Sequence, residues 1–504
     1  MSESNRGQYS NLFGGVAKLV VHLQLTLVLF ALVSCTPSFT PQVAEHFLNT
    51  DPEPVEIKKP TIQRWKLANG LQVLFLPDDE LPIASGAVVM PGGTFWESAH
   101  KPGVVSTMGG MMRNGGTKST PPAALNEELR RLSAGISSSY GGESGKVSFS
   151  CLSGDVDQVF SHFADVVRSP YFDQERLEVA KIGVLDGIRR RKESIEDVAS
   201  ISGRIVLYRN NSRGRVLTSS DVKNIDREML FKAHEEFVKP DGAYLVVTGD
   251  LSREKVEQLA NDYFGTWEPR GSSLGEPDSL LEPYPPGIYF VEGDFTQSQI
   301  YAVDVGPSRF APDLFSINLL NSILGDGLDS RINKTVRADL GLAYTVAAYV
   351  TRKFQRGANL IYIQTKSEST LKALQAAISE VERIQSEPPT EEELNLVKQA
   401  AQSGFVFKFD SPLKLLDRQV SLEMLKYPAD FDSTYLDNTF AVSASDVAQS
   451  ARKWWKLDEM RYVIVGSSSA YSALSEEVKS DPLLSTLPLY KLKFDELPIG
   501  KPIQ

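Results

Sequence analysis

Two stretches of this chain recur at a nearly fixed separation, and that repeat limits what the chain can fold into. Glu175-Arg-Leu-Glu-Val-Ala-Lys181 reads like Glu392-Glu-Leu-Asn-Leu-Val-Lys398, an offset of 217 positions (398 − 181). Tyr244-Leu-Val-Val-Thr-Gly249 reads like Tyr462-Val-Ile-Val-Gly466, an offset of 218 at the tyrosine (462 − 244). Each of these strand-like runs follows a helical stretch, residues 227–237 in one half and 444–454 in the other. The same order of helix, helix and strand at one separation is the mark of a duplicated unit.

The elements upstream agree. Val156, Val159, Phe160, Phe163 and Val167 follow helical spacing, as do Leu374, Ala377, Ile378 and Val381. Each half opens with β-type runs, residues 71–76 and 84–90 in the first, 288–291 and 299–305 in the second. Residues 268–287 are rich in Pro, Gly, Ser and acid and read as a linker. The expected organisation is a first module over 62–267 and a second over 288–490, each an α+β unit of about 210 residues. At 504 residues the chain has room for both.

The first 35 residues differ in kind. Arg6 and Lys18 precede an apolar run over 19–33, interrupted by His22, Gln24 and Thr26. At about fifteen residues it is short for a membrane span and suits the core of a secretory signal. It ends in Leu32-Val33-Ser34-Cys35, which resembles a bacterial lipobox, with Cys35 as the lipidated residue. An uncleaved anchor helix is the alternative. Residues 36–61 read as a flexible tether. The expectation is an exported, periplasmic protein anchored to the cell envelope. Thr36, where many bacteria place an aspartate for inner-membrane retention, favours the outer membrane.

Composition excludes some chemistry. A net charge of −11 argues against a nucleic-acid partner; it serves solubility and is compatible with cationic peptides. Beyond Cys35 only Cys151 carries a thiol, so no disulfide framework exists. The five histidines, His22, His46, His100, His162 and His234, include no pair at i, i+3 or i+4, the spacing that places two ligands on one helical face. Gly115-Gly-Thr-Lys118 and Gly325-Asp-Gly327 lack phosphate-loop spacing, and no Gly-x-Ser-x-Gly elbow is present. The small-residue run 137–145 reads as a turn between packed elements.

Several segments, taken in order, resemble the pitrilysin/insulinase-type metallopeptidases. They are Asn69-Gly70-Leu71-Gln72-Val73, Gly92-Gly93, the helix from Gly103 to Met112, Gly116-Thr117, and in the second half Ser330-Arg331, Arg337 and Gly341-Leu-Ala-Tyr344. The resemblance covers roughly residues 62 to 470 and implies two homologous α/β modules with antiparallel-rich sheets and packed helices. Active members carry the inverted zinc motif His-x-x-Glu-His, with a later glutamate as third ligand. Aligned from Gly103, that motif falls on Ser106-Thr107-Met108-Gly109-Gly110, so both histidines and the catalytic glutamate are missing. Asp186, 76 positions after Gly110 (186 − 110), stands where the family places its distal ligand. One carboxylate cannot hold zinc, and Asp186 reads as an ordinary polar position on the helix leading to the basic run 189–192.

Arg337 and Tyr344, seven residues apart, match the arginine–tyrosine pair that the family sets opposite the zinc site to engage substrate backbone. Their plainer reading is a salt-bridging arginine and a core tyrosine. The resemblance therefore implies a non-catalytic, substrate-binding subunit of a two-chain peptidase, without catalytic or metal-binding residues of its own. Zinc would reside in a homologous partner chain, an extended peptide would be the substrate, and Arg337 and Tyr344 would act in trans. Two alternatives stand beside it: an inert scaffold lipoprotein of the same fold, and a peptidase with zinc ligands relocated to His100, His162 and His234.

Overall fold

The computed structural model describes residues 60–98, 101–209, 211–271, 274–275, 277 and 282–496. Cys35, the signal segment, nearly all of the tether, and His22, His46 and His100 lie outside them.

The first sheet contains β1 (Gln63–Lys66), β2 (Gln72–Pro77), β3 (Ile83–Pro91), β4 (Gly135–Tyr140), β5 (Ser144–Leu152) and β6 (Tyr244–Gly249), in the order β1-β2-β6-β3-β5-β4. The second contains β7 (Gly287–Glu292), β8 (Gln297–Val305), β9 (Ala343–Val350), β10 (Ala358–Lys366), β11 (Arg461–Gly466) and β12 (Leu489–Lys493), in the order β12-β7-β11-β8-β10-β9. Five strands of each sheet correspond, with one parallel pair, β2–β6 or β7–β11, in an otherwise antiparallel set. The sixth differs. β1 turns back on β2 as an antiparallel hairpin through Gly70, which has a φ of 96°. At the corresponding edge of the second sheet the C-terminal strand β12 pairs with β7 in parallel instead.

Three helices of the first module, α1 (Val104–Asn114), α2 (Gln174–Arg190) and α3 (Ile195–Tyr208), recur as α4 (Leu314–Leu324), α5 (Glu391–Phe405) and α6 (Pro412–Met424). The offsets are 210, 217 and 217 residues (314 − 104, 391 − 174, 412 − 195). Strand pairing refines the tyrosine match. Gly249 pairs with Pro77 and Gly466 with Glu292, an offset of 217 (466 − 249), so Tyr244 corresponds to Arg461 and not to Tyr462. The duplication extends to a structural detail. Lys181 and Lys398 are both buried, and their amines donate to the carbonyls of Lys223 (3.5 Å) and Phe440 (2.8 Å), which are themselves 217 apart (440 − 223).

β6 and β11 are buried at every residue because each sheet is covered on both faces. One face packs on the module's own helices: Val73, Phe75, Val88, Leu245 and Val247 share a core with α1 and the helix Val156–Arg168. The other face takes a helix from the opposite module. Leu415, Leu416 and Val420 of α6 lie on Leu74, Leu76, Val89 and Val246 of the first sheet. Val198, Ala199, Ile205 and Val206 of α3 lie on Tyr289, Val291, Val303 and Val463 of the second. At about 1.5–3 kcal/mol per buried aliphatic side chain, the three α6 residues contribute about 4.5–9 kcal/mol before ordering entropy. The modules are therefore interlocked by reciprocal helix exchange. The connecting stretch is also pinned, since Trp96 Nε1 donates to the carbonyls of Leu274 (3.0 Å) and Gly275 (2.9 Å).

The run 137–145 departs from its sequence reading as a turn. Residues up to Tyr140 form strand β4 and β5 begins at Ser144, which leaves a turn of three residues. Serines are poor strand formers, but here their hydroxyls find partners: Ser137 Oγ lies 2.8 Å from Ser148 Oγ across the hairpin.

Candidate functional site: a sealed motif helix and an exposed arginine–tyrosine segment

α1 starts at Gly103, whose φ of 86° places it in the left-handed region. No residue caps it from the adjacent position. Instead the Glu97 carboxylate accepts from the amides of Gly103 (2.8 Å) and Val105 (2.6 Å). Burial raises the Glu97 pKa above the ordinary carboxylate value, and these amide bonds oppose the rise. The inward face consists of Val104, Val105, Met108, Met111 and Met112, all buried.

Ser106 and Gly110, one turn apart, occupy the open side. Ser106 is exposed and its hydroxyl donates to the Gly103 carbonyl at 3.2 Å. A Cβ added at Gly110 would meet nothing within 4 Å. Gly109 is the opposite case. A Cβ there would stand 2.4 Å from Tyr140 N and 2.9 Å from Tyr140 Cβ, because strand β4 runs against the helix at that point. Ser138 of β4 reaches into the helix: its hydroxyl donates to the Gly109 carbonyl (2.6 Å) and accepts from the Arg113 amide (3.0 Å), groups one turn apart. A side chain inserted into the helical ladder in this way requires close approach, and glycine permits it.

Zinc does not fit this helix. Its aligned positions offer a hydroxyl and two glycines, and no group of three His, Cys, Asp or Glu residues among the described residues could hold a metal ion. Asp186 lies at the surface of α2 and pairs with Arg189 (2.7 Å) and Arg190 (2.6 Å). The hydrogen bond from Arg189, more than any other cause, holds its carboxyl below the usual range. His162 pairs with Glu128 at 2.5 Å. His234 is buried, with Nε2 2.8 Å from the Val167 carbonyl, and burial pushes its pKa down to about 4. Cys151 is buried as well, and burial pushes its thiol up to about 11, which leaves it unreactive.

Arg337 and Tyr344 flank the entry to β9. Arg337 lies near the end of a short π-helix, Asn333–Asp339, that is fixed by its neighbours. Asn333 Nδ2 donates to the Val346 carbonyl (2.9 Å), Val336 is buried, and the Leu342 amide returns to the Val336 carbonyl (2.9 Å). Both side chains leave this rigid backbone toward solvent. Tyr344 is 77% exposed, Arg337 is exposed, and neither makes a hydrogen bond, ion pair or ring contact with another described residue. Among the described residues β9 pairs only with β10, so it forms an edge of the second sheet. The edge itself is occupied, since Asn333 bonds the Val346 carbonyl, Gly325 lies against the Ala348 backbone and Asn321 bonds both the amide (2.8 Å) and the carbonyl (3.0 Å) of Val350. What remains for a peptide is the exposed arginine–tyrosine donor pair.

Sequence reasoning missed one surface. α2 presents Val179 (59% exposed) and Ile182 (65% exposed) beside Gly183 and Gly187, where an added Cβ would meet nothing. The signal was present as apolar residues on the outward side of a helix whose buried side is Leu177 and Lys181.

Two duplicated, helix-covered six-stranded sheets with a motif-bearing helix in the first define a pitrilysin/insulinase-type protein. The chain belongs to peptidase family M16: residues 73–205 match "Insulinase (Peptidase family M16)" and residues 224–401 match "Peptidase M16 inactive domain". It is 23% identical over 332 residues to an "Uncharacterized zinc protease" of Rickettsia bellii, covering 65% of this chain and 79% of that protein. It is 19% identical over 410 residues to "Non-peptidase homolog YmxG" of Helicobacter pylori, covering 78% and 91%. Among solved structures it is similar to a peptidase M16 inactive domain from Pseudomonas fluorescens, with a TM-score of 0.74 and 22% identity, covering 81% of this chain and 99% of that one. The periplasmic protease PqqL of Escherichia coli is similar too, with a TM-score of 0.68 and 14% identity, but the match covers 83% of this chain and only 47% of that one.

Proposed function

We propose that this protein is the non-catalytic, substrate-binding subunit of a two-chain zinc peptidase, paired with a zinc-bearing homologue in the periplasm. The observation that carries the reading is an asymmetry. The motif helix has no imidazole or carboxylate at Ser106, Gly109 and Gly110 and is closed at Gly109, while Arg337 and Tyr344 remain exposed beside the edge strand of the second sheet. Retained donors without a metal site suit a chain that completes another chain's chemistry. The naming of one relative as a non-peptidase homolog supports a non-catalytic role. A bare scaffold is the weaker reading, because Arg337 and Tyr344 stand exposed and make no side-chain bond with another described residue, which a purely structural role does not call for. Export, with lipidation at Cys35, belongs to the same proposal. Among the described residues no helix is long and apolar enough to cross a membrane.

The test is cleavage of a peptide library by this chain, by a zinc-bearing homologue from the same cell, and by their mixture. Cleavage that rises strongly only in the mixture supports the proposal. Equal cleavage with and without this chain removes the partnership.

A further inference from the structure

The second module holds a half-open cavity of about 380 Å³ between α4, α6 and the turn Val406–Lys408. All the charged side chains in its lining are cationic: Arg352, Lys408 and Arg418. In a chain of net charge −11 such a pocket is unusual. Arg418 is neutralised by Asp432, with Nε bonds of 2.8 and 3.0 Å. The other two cations have no such bonded carboxylate among the described residues, although Asp432 also attracts Lys408 and Asp313 attracts Arg352. Arg352 makes one bond, to the Leu314 carbonyl at 3.3 Å, and its buried Nε has no partner among the described residues. Asp313 attracts Arg352 electrostatically but bonds elsewhere through Oδ2, to Trp454 Nε1 (2.8 Å) and Lys453 (3.1 Å), and its buried Oδ1 has no hydrogen-bond partner among the described residues. Lys408 makes no hydrogen bond or ion pair with a described residue and rests over the Tyr435 ring at 4.4 Å.

The duplication supplies an internal control. Arg191 stands 217 positions before Lys408 (408 − 191), and it donates to the Leu217 carbonyl at 2.7 Å. The first module therefore ties its cation to the backbone, whereas the second leaves its cation facing a cavity. Burial lowers the pKa of Lys408 and of Arg352 from their ordinary values, so holding both charged in the empty pocket has a cost that an anion would relieve. Tyr427, Phe431 and Leu422 line the remaining wall. Leu415, Leu416 and Val420 of α6 seat it on the first sheet, and Arg418, Ser421 and Leu422 on its opposite face line the cavity.

We infer that this cavity is a binding site for a small oxyanion, a carboxylate or phosphate carried on an aromatic or apolar body, held by Arg352 and Lys408. Guanidinium and ammonium groups bind the head, the aromatic wall takes the body, and the size is that of an ordinary small-molecule site. A bound ligand would brace α6 between the two modules.

The test is calorimetry on the folded chain with four probes: inorganic phosphate, phenyl phosphate, N-acetylphenylalanine and its uncharged amide. Phenyl phosphate or N-acetylphenylalanine should saturate below about 10 mM, inorganic phosphate should bind at least about tenfold more weakly, and the amide should not bind. Which of the two aromatic probes binds tighter identifies the head group. Arg352→Met and Lys408→Met should each weaken binding about tenfold or more, and the unliganded variants should melt at or above the wild-type temperature. Absence of saturation by either charged aromatic probe, or undiminished binding by the double variant, overturns the inference. A lower melting temperature of unliganded Lys408→Met would show that the lysine is structural, and overturns it as well. No step uses peptide cleavage, so the outcome is independent of the proposed subunit role.

Discussion

Adjacent glycines in α1 should respond to the same substitution with opposite signs. In Gly109→Ala the new methyl would lie 2.4 Å from Tyr140 N, a backbone atom that cannot swing aside, so helix and strand must separate. Overpacking of this kind costs about 1–3 kcal/mol. Separation also strains the two bonds of Ser138, at 2.6 and 3.0 Å, worth about 1 kcal/mol each. The helical preference of alanine over glycine returns about 1 kcal/mol, which leaves Gly109→Ala less stable by about 2–4 kcal/mol. Gly110→Ala meets nothing within 4 Å and keeps only the gain, about 0.5–1 kcal/mol. Urea denaturation followed by circular dichroism should place the two midpoints on opposite sides of wild type. Coincident midpoints, or a Gly110→Ala variant weakened as much as Gly109→Ala, would refute the claim that β4 seals one position and leaves its neighbour open.

Other outcomes follow from the same structure. Restoring the family motif by Ser106→His, Gly109→Glu and Gly110→His should give an unstable protein without stoichiometric zinc; a folded, zinc-loaded triple variant would contradict the sealed site. His234 has a folded pKa of about 4 against an ordinary 6.5, so the native state binds fewer protons than the unfolded chain between those values. Its contribution is complete above about pH 6.5 and is lost as pH falls toward 4, on the order of 3 kcal/mol. Asp304, whose carboxyl burial pushes up to about 6, acts in the opposite sense, so the comparison is wild type against His234→Gln across pH 4–7. The variant should show a flatter profile, and parallel profiles would exclude the histidine as the source. Arg337→Ala and Tyr344→Phe should leave the melting temperature within error, since both side chains are exposed, yet lower turnover of the mixture severalfold. Normal turnover would remove their role. Cutting the chain within residues 268–287 should give halves that aggregate alone and form a one-to-one complex when expressed together, because each exposes the face its partner's helix covers. Two soluble, cooperatively folding halves would show that the exchanged helices are dispensable.

The repeat could be read from residues because helix periodicity and short apolar runs are local signals, and they placed Val156–Arg168, Arg227–Phe237 and Ala444–Trp454 well. Which sheet a helix covers is not local. α3 carries eight buried residues in fourteen, a sign of packing on more than one side, but nothing in its sequence names the second sheet as its seat. β4 escaped notice because Gly135-Ile-Ser-Ser-Ser-Tyr140 has weak strand preference, and its stability comes from serine hydroxyls meeting β5 and α1. The loss of zinc donors at Ser106, Gly109 and Gly110 was visible as letters. That Gly109 is closed by an approaching strand, while Gly110 faces empty space, depends on three-dimensional proximity. The cationic cavity is of the same kind, since Arg352, Lys408 and Arg418 are spread over a separation of 66 positions (418 − 352).

The most direct measurement of the central claim is the metal content and peptidase activity of the purified chain after equilibration with excess zinc and removal of loosely held ions. The expected result is well under one zinc per chain, with no chelator-sensitive cleavage by this chain alone. One tightly bound zinc per chain, together with cleavage that a chelator abolishes, would contradict the account.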